Sequence, residues 1–341
     1  MTISLFTPGR VNLIGEHTDY NGGMVLPTAI DLGPTITLTP RADDKIIIRS
    51  EKFDGQAERS LTDNAAGHWS DYVTGAVIFA NEAELMDGGA DITVETNLPF
   101  GAGLSSSAAI IVGILKIGRE LSGKDISDTE IAVLARRVEN EFIGVPCGIM
   151  DQMAVAIARP GQALALNTES LAFDLVDLPQ NHHMAVIHSG QYRGLSEGRY
   201  KIRKEECDVI KAHLGRNDIC QISDADFETF SLLPAAIQRR AKHCMSEHRR
   251  TISAVKALKA NDLSAFGALM SESQVSMRDD FEISLPQIDK LVDDAVKFGA
   301  KGARMTGGGF GGCIVACVAN TDLESWKQQL LSQNPEAFYV C

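Results

Sequence analysis

Apolar and polar residues alternate along Ala90–Asp91–Ile92–Thr93–Val94–Glu95, the period of a half-buried strand. A glycine turn follows (Leu98–Pro99–Phe100–Gly101–Ala102–Gly103–Leu104). Ser105–Ser106–Ser107 then leads into Ile110–Leu121, a Pro-free apolar run that predicts a buried helix ending at Ser122–Gly123. Thr35–Thr39 and Lys45–Arg49 read as strands joined into a hairpin by Pro40–Asp44, and Asp71–Met86 as a helix with Ser70 as N-cap. Ser127–Asp128–Thr129–Glu130 spells a capping box, and Ile131, Leu134, Ala135, Val138 and Phe142 recur at helical spacing behind it. Glu139 lies one step off that stripe, and Cys147–Met153 opens another helical stretch with Asp151 in its first turn. The apolar pattern restarts near Leu178–Pro179–Gln180, which predicts two domains, 1–178 and 179–341. In the second half Met184–His188 and Cys313–Val318 read as strands. Ser196–Leu214, with Cys207, Ile210 and Leu214 on one face, and Arg250–Ala260 read as helices. The absence of repeats and Ser/Gly linkers predicts closely packed halves.

Charge narrows the list of partners. The 341 residues carry a formal net charge of -13, which argues against nucleic acid or an anionic membrane as the main partner. A nucleotide is still compatible, because local N–H groups, a few basic side chains and a metal ion suffice to hold a phosphate chain. The seven cysteines are odd in number and scattered, without zinc-site spacing, and predict buried free thiols in a reducing compartment. No signal pattern or membrane-length apolar run is evident, so the expectation is a cytoplasmic protein.

Three stretches carry candidate chemistry. A strand, a glycine turn and a helix start bring backbone N–H groups and a positive dipole end together, a geometry suited to phosphate. It also suits a plain Ser N-cap. The spelling excludes a P-loop, which needs a Lys; a dinucleotide fingerprint, whose third glycine would be Ser106; and a nucleophile elbow, which fails at Ser107. Near the N-terminus, Pro8–Gly9–Arg10–Val11–Asn12–Leu13–Ile14–Gly15–Glu16–His17–Thr18–Asp19–Tyr20–Asn21–Gly22–Gly23, broken by Gly15 and by Asn21–Gly22–Gly23, is too polar for a core strand and reads as an ordered loop. Its Glu16, His17 and Asp19 suit either a solvated turn or recognition of several sugar hydroxyls. Arg304–Gly312 places five glycines in six residues from Gly307, implying close backbone approach or several turns with positive φ. Asp151 suits either dipole complementation or the orientation or deprotonation of a hydroxyl nucleophile.

Taken in order, these three motifs resemble the GHMP small-molecule kinase family over nearly the whole chain, with the first motif spelled as in its galactose-specific members. The resemblance implies an α+β fold of two domains, an N-terminal S5-like α/β domain and a C-terminal ferredoxin-like domain, with the active site in the cleft between them. It also implies transfer of the ATP γ-phosphate to the C1 hydroxyl of α-D-galactose. By motif, Asp151 would be the base and Arg10 its neighbour, while Glu16, His17, Asp19, Gly148 and Tyr200 would bind the sugar. Gly101, Gly103, Leu104, Ser105, Ser106 and Ser107 would form the ATP loop, with Ser105 and Ser106 facing phosphate and Ser107 with Glu139 holding Mg²⁺. Galactose and ATP would be the partners of a monomer. The alternatives are a kinase of a related sugar (N-acetylgalactosamine or arabinose) or a non-catalytic galactose and ATP sensor. Intact Ser107–Ala108, Asp151, Arg10 and Glu139 speak against the sensor.

Overall fold

The computed structural model describes residues 1–99, 101–192 and 196–341; Phe100 of the glycine turn lies outside them. Strands β1 (Ile3–Phe6) and β2 (Gly9–Asn12) precede a long loop, then come β3 (Met24–Val25) and β4 (Pro27–Ile30). Next are β5 (Pro34–Pro40), β6 (Lys45–Ser50), β7 (Phe53–Ser60), α1 (Asp71–Glu82), β8 (Ala90–Thr96), α2 (Ser106–Ser122) and α3 (Asp128–Arg137). A π-helical turn, Val138–Ile143, leads to α4 (Met150–Ile157), β9 (Gln162–Asn167), β10 (Phe173–Asp177) and β11 (His182–His188). Helices α5 (Ser196–Leu214), α6 (Asp224–Glu228), α7 (Ala235–Lys259), α8 (Leu263–Asp279) and α9 (Pro286–Lys297) follow. The chain closes with β12 (Gly302–Met305), β13 (Cys313–Ala319), α10 (Leu323–Gln333) and β14 (Phe338–Tyr339).

Two compact units share this chain. The first comprises Met1–Arg10, Ala29–Leu98 and Leu104–Ala158; the second comprises Val11–Thr28, Pro99–Gly103 and Arg159–Cys341.

In the first unit five strands form one sheet in the order β1-β5-β8-β6-β7. The inner face is made by alternate residues such as Ile36, Leu38, Ile92 and Val94, all buried. Helix α2 lies close to it because Gly113 has no side chain; a Cβ there would meet Ile36 Cδ1 at 2.4 Å. The strands 35–39 and 45–49 form as expected, but they are not a hairpin. Strand β8 lies between them, antiparallel to β5 and parallel to β6. Gly88–Gly89 makes the insertion possible: the Gly89 N–H donates to the Asp43 carbonyl at 2.6 Å, and a Cβ on Gly89 would sit 1.9 Å from the Lys45 carbonyl oxygen. Helix α1 stops at Glu82 rather than Met86, because Glu84 turns to φ 54° and the Leu85 N–H folds back to the Ala80 carbonyl. The capping box at Ser127 forms with both of its bonds, whereas the stripe running to Phe142 passes into the π turn at Val138.

In the second unit β11, β12, β13 and β14 make an antiparallel sheet ordered β12-β13-β11-β14. Numbered along the chain this is order 2-3-1-4, the ferredoxin-like arrangement. Helix α8 packs tightly against this sheet: a Cβ on Gly267 would lie 2.0 Å from the Lys301 carbonyl oxygen. Phe281, Ile288, Leu291, Met305, Ile314 and Trp326 fill the core, and α5 contributes Cys207 and Ile210 from its expected face. A further sheet, β10-β9-β4-β2 with β3 on β9, frames the loop 13–23. Among the described residues no helix is long and apolar enough to cross a membrane.

Candidate active site

In the first unit Asp151 stands in the opening turn of α4, and Arg10 reaches it from β2. The Arg10 Nε and Nη2 both donate to Asp151 Oδ1, at 2.8 and 2.7 Å. The Ser105 hydroxyl donates to Oδ2 at 2.6 Å. Arg10 is buried while the carboxylate is about one-third exposed (32%), so a held charge faces outward. Ser105 precedes α2 in the left-handed region (φ 63°), which is uncommon for a residue other than glycine. Its hydroxyl, for which the sequence predicts a phosphate partner, engages the carboxylate. With Ser105 so turned, no side chain caps α2, and the helix opens on Ser106, which is exposed, and Ser107. The Leu104 carbonyl accepts the Arg10 N–H at 3.2 Å, tying loop to strand.

Glu139 enters from the π turn, a deviation that is frequent at functional sites because it re-aims one side chain. It is buried, and its partners are neutral: the Ser107 hydroxyl, the Gln152 amide and the Cys147 thiol. Burial, with Asp151 nearby, pushes its carboxyl above the ordinary range. Among the described residues no Lys or Arg pairs with it. The Gln152 Oε1 is also buried and without a hydrogen-bond partner. A buried carboxylate with a hydroxyl beside it and no counter-charge fits a hard divalent cation, which takes oxygen ligands. Gly148 is buried three residues before Asp151.

In the second unit the loop 13–23 has little regular structure and is held by side chains from distant positions. Glu16 is fully buried; its Oε1 accepts the Gly307 N–H at 2.5 Å, its Oε2 accepts from Asn12, and the Arg304 guanidinium lies 3.8 Å away. His17 has φ 58°, with its Nδ1 2.7 Å from the Tyr20 hydroxyl and its Nε2 3.3 Å from the Gly308 carbonyl. Its ring packs against Phe281 at 4.6 Å and Tyr200 of α5 at 5.3 Å between centroids. Asp19 follows on the same turn, partly exposed. Gly101 and Gly103, both with positive φ, also belong to this unit.

Sequence reasoning assigned no role to the polar residues of α7 that lie under this loop. Glu247 is buried; burial raises its pKa, but Arg304 and Arg250 outweigh that and hold it at about 2. Burial lowers His243 to about 4, so it is neutral at pH 7. Its Nδ1 faces the Ser276 hydroxyl and its Nε2 the Glu16 carbonyl. The available signal was a histidine and a glutamate four residues apart, a spacing that puts both on one face of a helix.

The fold and its glycine loops define a kinase of the GHMP class: the model described as GHMP kinases N terminal domain matches residues 71–159, and GHMP kinases C terminal matches 254–333. The Galactokinase galactose-binding signature matches residues 3–40. A galactokinase of Glaesserella parasuis is 39% identical, with 99% of this chain and 92% of the relative covered. The Lactococcus lactis galactokinase, solved in complex with galactose, superposes with a TM-score of 0.93 at 31% identity over 99% of this chain and 92% of that one. The chain belongs to the galactokinase family. The mevalonate kinase of Methanococcus jannaschii shares the fold (TM-score 0.72, 22% identity, 99% of this chain and 98% of that one).

Proposed function

We propose that the protein transfers the γ-phosphate of ATP to the C1 hydroxyl of α-D-galactose, giving galactose 1-phosphate and ADP. The observation that carries this reading is the two-pronged grip of Arg10 on one oxygen of Asp151, which leaves the other oxygen, among the described residues, bonded only to a hydroxyl. A sugar hydroxyl can bond Oδ2 beside that of Ser105, since a carboxylate oxygen accepts more than one donor, and Oδ2 then takes its proton as the C1 oxygen attacks phosphorus. Arg10 keeps the carboxylate aimed and adds positive charge near the transferring group. Such a reaction depends on positioning and charge neutralisation more than on covalent chemistry.

The N–H groups at the uncapped start of α2, with Ser106, suit the ATP phosphates, and Gly101, Gly103 and Leu104 suit the approach to them. Ser107 and Glu139 would hold Mg²⁺, which when bound would neutralise phosphate charge. For the sugar we assign Glu16, His17, Asp19, Tyr200 and Gly148. A cytoplasmic monomer is the state we assign.

ADP release coupled to a reporter reaction tests the reading. It should require D-galactose and Mg²⁺, fall about 10²–10⁴-fold in Asp151→Asn, and be weaker with N-acetylgalactosamine or L-arabinose. Turnover without sugar, or none with galactose, would overturn it.

A further inference from the structure

We propose that one face of α7, centred on Glu247 and His243, is the template that sets the sugar-binding loop, and that these two are positioning residues for galactose. The inference rests on the reading of loop 13–23 as the sugar site.

The loop cannot satisfy its own backbone. Gly15 and Glu16 are buried and lie outside any strand, so their N–H groups and the Glu16 carbonyl require partners. Helix α7 supplies them. Glu247 Oε1 accepts the Gly15 N–H at 2.9 Å and the Glu16 N–H at 3.4 Å. Two successive N–H groups around one anionic oxygen form a backbone nest, occupied here by a side chain of the protein itself. One turn earlier, His243 Nε2 stands 3.1 Å from the Glu16 carbonyl oxygen. Because His243 is neutral and its Nδ1 faces a hydroxyl, the Nε2 carries the proton and donates.

The same face continues along the loop. The Asn21 amide lies 3.6 Å from Cys244 Sγ, and the Met24 N–H donates to His248 Nδ1 at 3.0 Å. Residues 243, 244, 247 and 248 occupy one side of a helix by their spacing alone. Each of these bonds ends on the backbone of Gly15, Glu16 or Met24 or on Asn21, so the helix acts through loop shape.

Glu247 is itself fixed: Ser273 donates to Oε1 at 2.6 Å and Arg250 to Oε2 at 2.9 Å, while Arg304 Nη2 stands 3.7 Å from Oε1. Arg304 also faces Glu16, so two carboxylates and two guanidiniums balance under the loop. The consequence falls on His17, the next residue after the nest, which is held in the left-handed region with its ring among Tyr20, Tyr200 and Phe281. Released from the nest, the backbone relaxes toward ordinary φ and carries the His17 ring out of register with Asp19.

Steady-state kinetics of the full-length chain should separate the two substrates. Glu247→Ala and His243→Ala are expected to raise the galactose KM tenfold or more while the ATP KM stays within twofold. Glu247→Gln and His243→Gln, each retaining the required acceptor or donor, should recover most of the loss but keep at least a threefold rise for Glu247→Gln. Should the alanine variants not fold, the glutamine variants decide. A galactose KM within twofold of wild type in Glu247→Gln, or KM values for both substrates rising together, overturns the proposal. Asp19→Ala runs alongside: an unchanged galactose KM there sinks the loop reading itself, and a raised one alongside unaffected Glu247 variants sinks only the template.

Discussion

At the level of single residues, Asp151 and Glu139 are two carboxylates with opposite environments. Asp151 has a guanidinium against one oxygen, whereas Glu139 is buried among neutral groups. Removing the Ser105 hydroxyl takes away a bond to a charged acceptor, worth about 1.5–3 kcal/mol. Ser105→Ala should therefore lower turnover about tenfold, a ~1.4 kcal/mol effect, in the ADP-release assay. On the reading that Ser107 and Glu139 hold Mg²⁺, protons compete with the ion for the raised carboxyl of Glu139 as the pH is lowered. The Mg²⁺ concentration for half-maximal turnover should rise as the pH falls, and Glu139→Gln should abolish that slope while weakening the response to Mg²⁺. Motif spelling brought Arg10 and Asp151 forward as candidates, and the family resemblance brought Glu139. The rotation of Ser105 was not, because φ 63° at a serine follows from the carboxylate it bonds, 46 residues further along.

Elements show a similar division. Period-two and period-3.6 patterns located β5, β6, β8, β11 and β13 and helices α1 to α5, and only the C-terminal part of α7, since burial of one face is recorded locally in the sequence. Pairing is recorded elsewhere. The turn Pro40–Asp44 looks like a hairpin, and only Gly88–Gly89, more than forty positions later, admits β8 into the gap. Gly89→Ala would force a Cβ into a carbonyl oxygen 1.9 Å away. It should cost about 3 kcal/mol, the upper end for overpacking, read as a lower urea midpoint. The π turn escaped prediction for a related reason: one extra residue per turn leaves the apolar stripe nearly intact while turning Glu139 inward. On α7, the polar face was hidden because charge in a helix usually means solvent, whereas here it meets buried loop backbone.

For the whole molecule, stability should track the buried histidine. His243 is held at about 4 against an ordinary value of 6.5. As pH falls the unfolded chain takes up the proton first, so stability is complete above about 6.5 and is lost progressively toward 4. In urea titrations across that window, His243→Gln should show a shallower fall than wild type. The loop that α7 holds also has a history in time. Gly15 is synthesised 232 residues before Glu247, and Glu16 waits 291 residues for the Gly307 N–H that its carboxylate accepts. A nascent chain thus carries its substrate-recognition segment, unsupported, through most of translation. Contacts this distant in sequence form slowly. The ability to recognise a sugar is then acquired late, only after the last glycine motif has cleared the ribosome, and a chain released early carries the segment that names the substrate without the helix that shapes it.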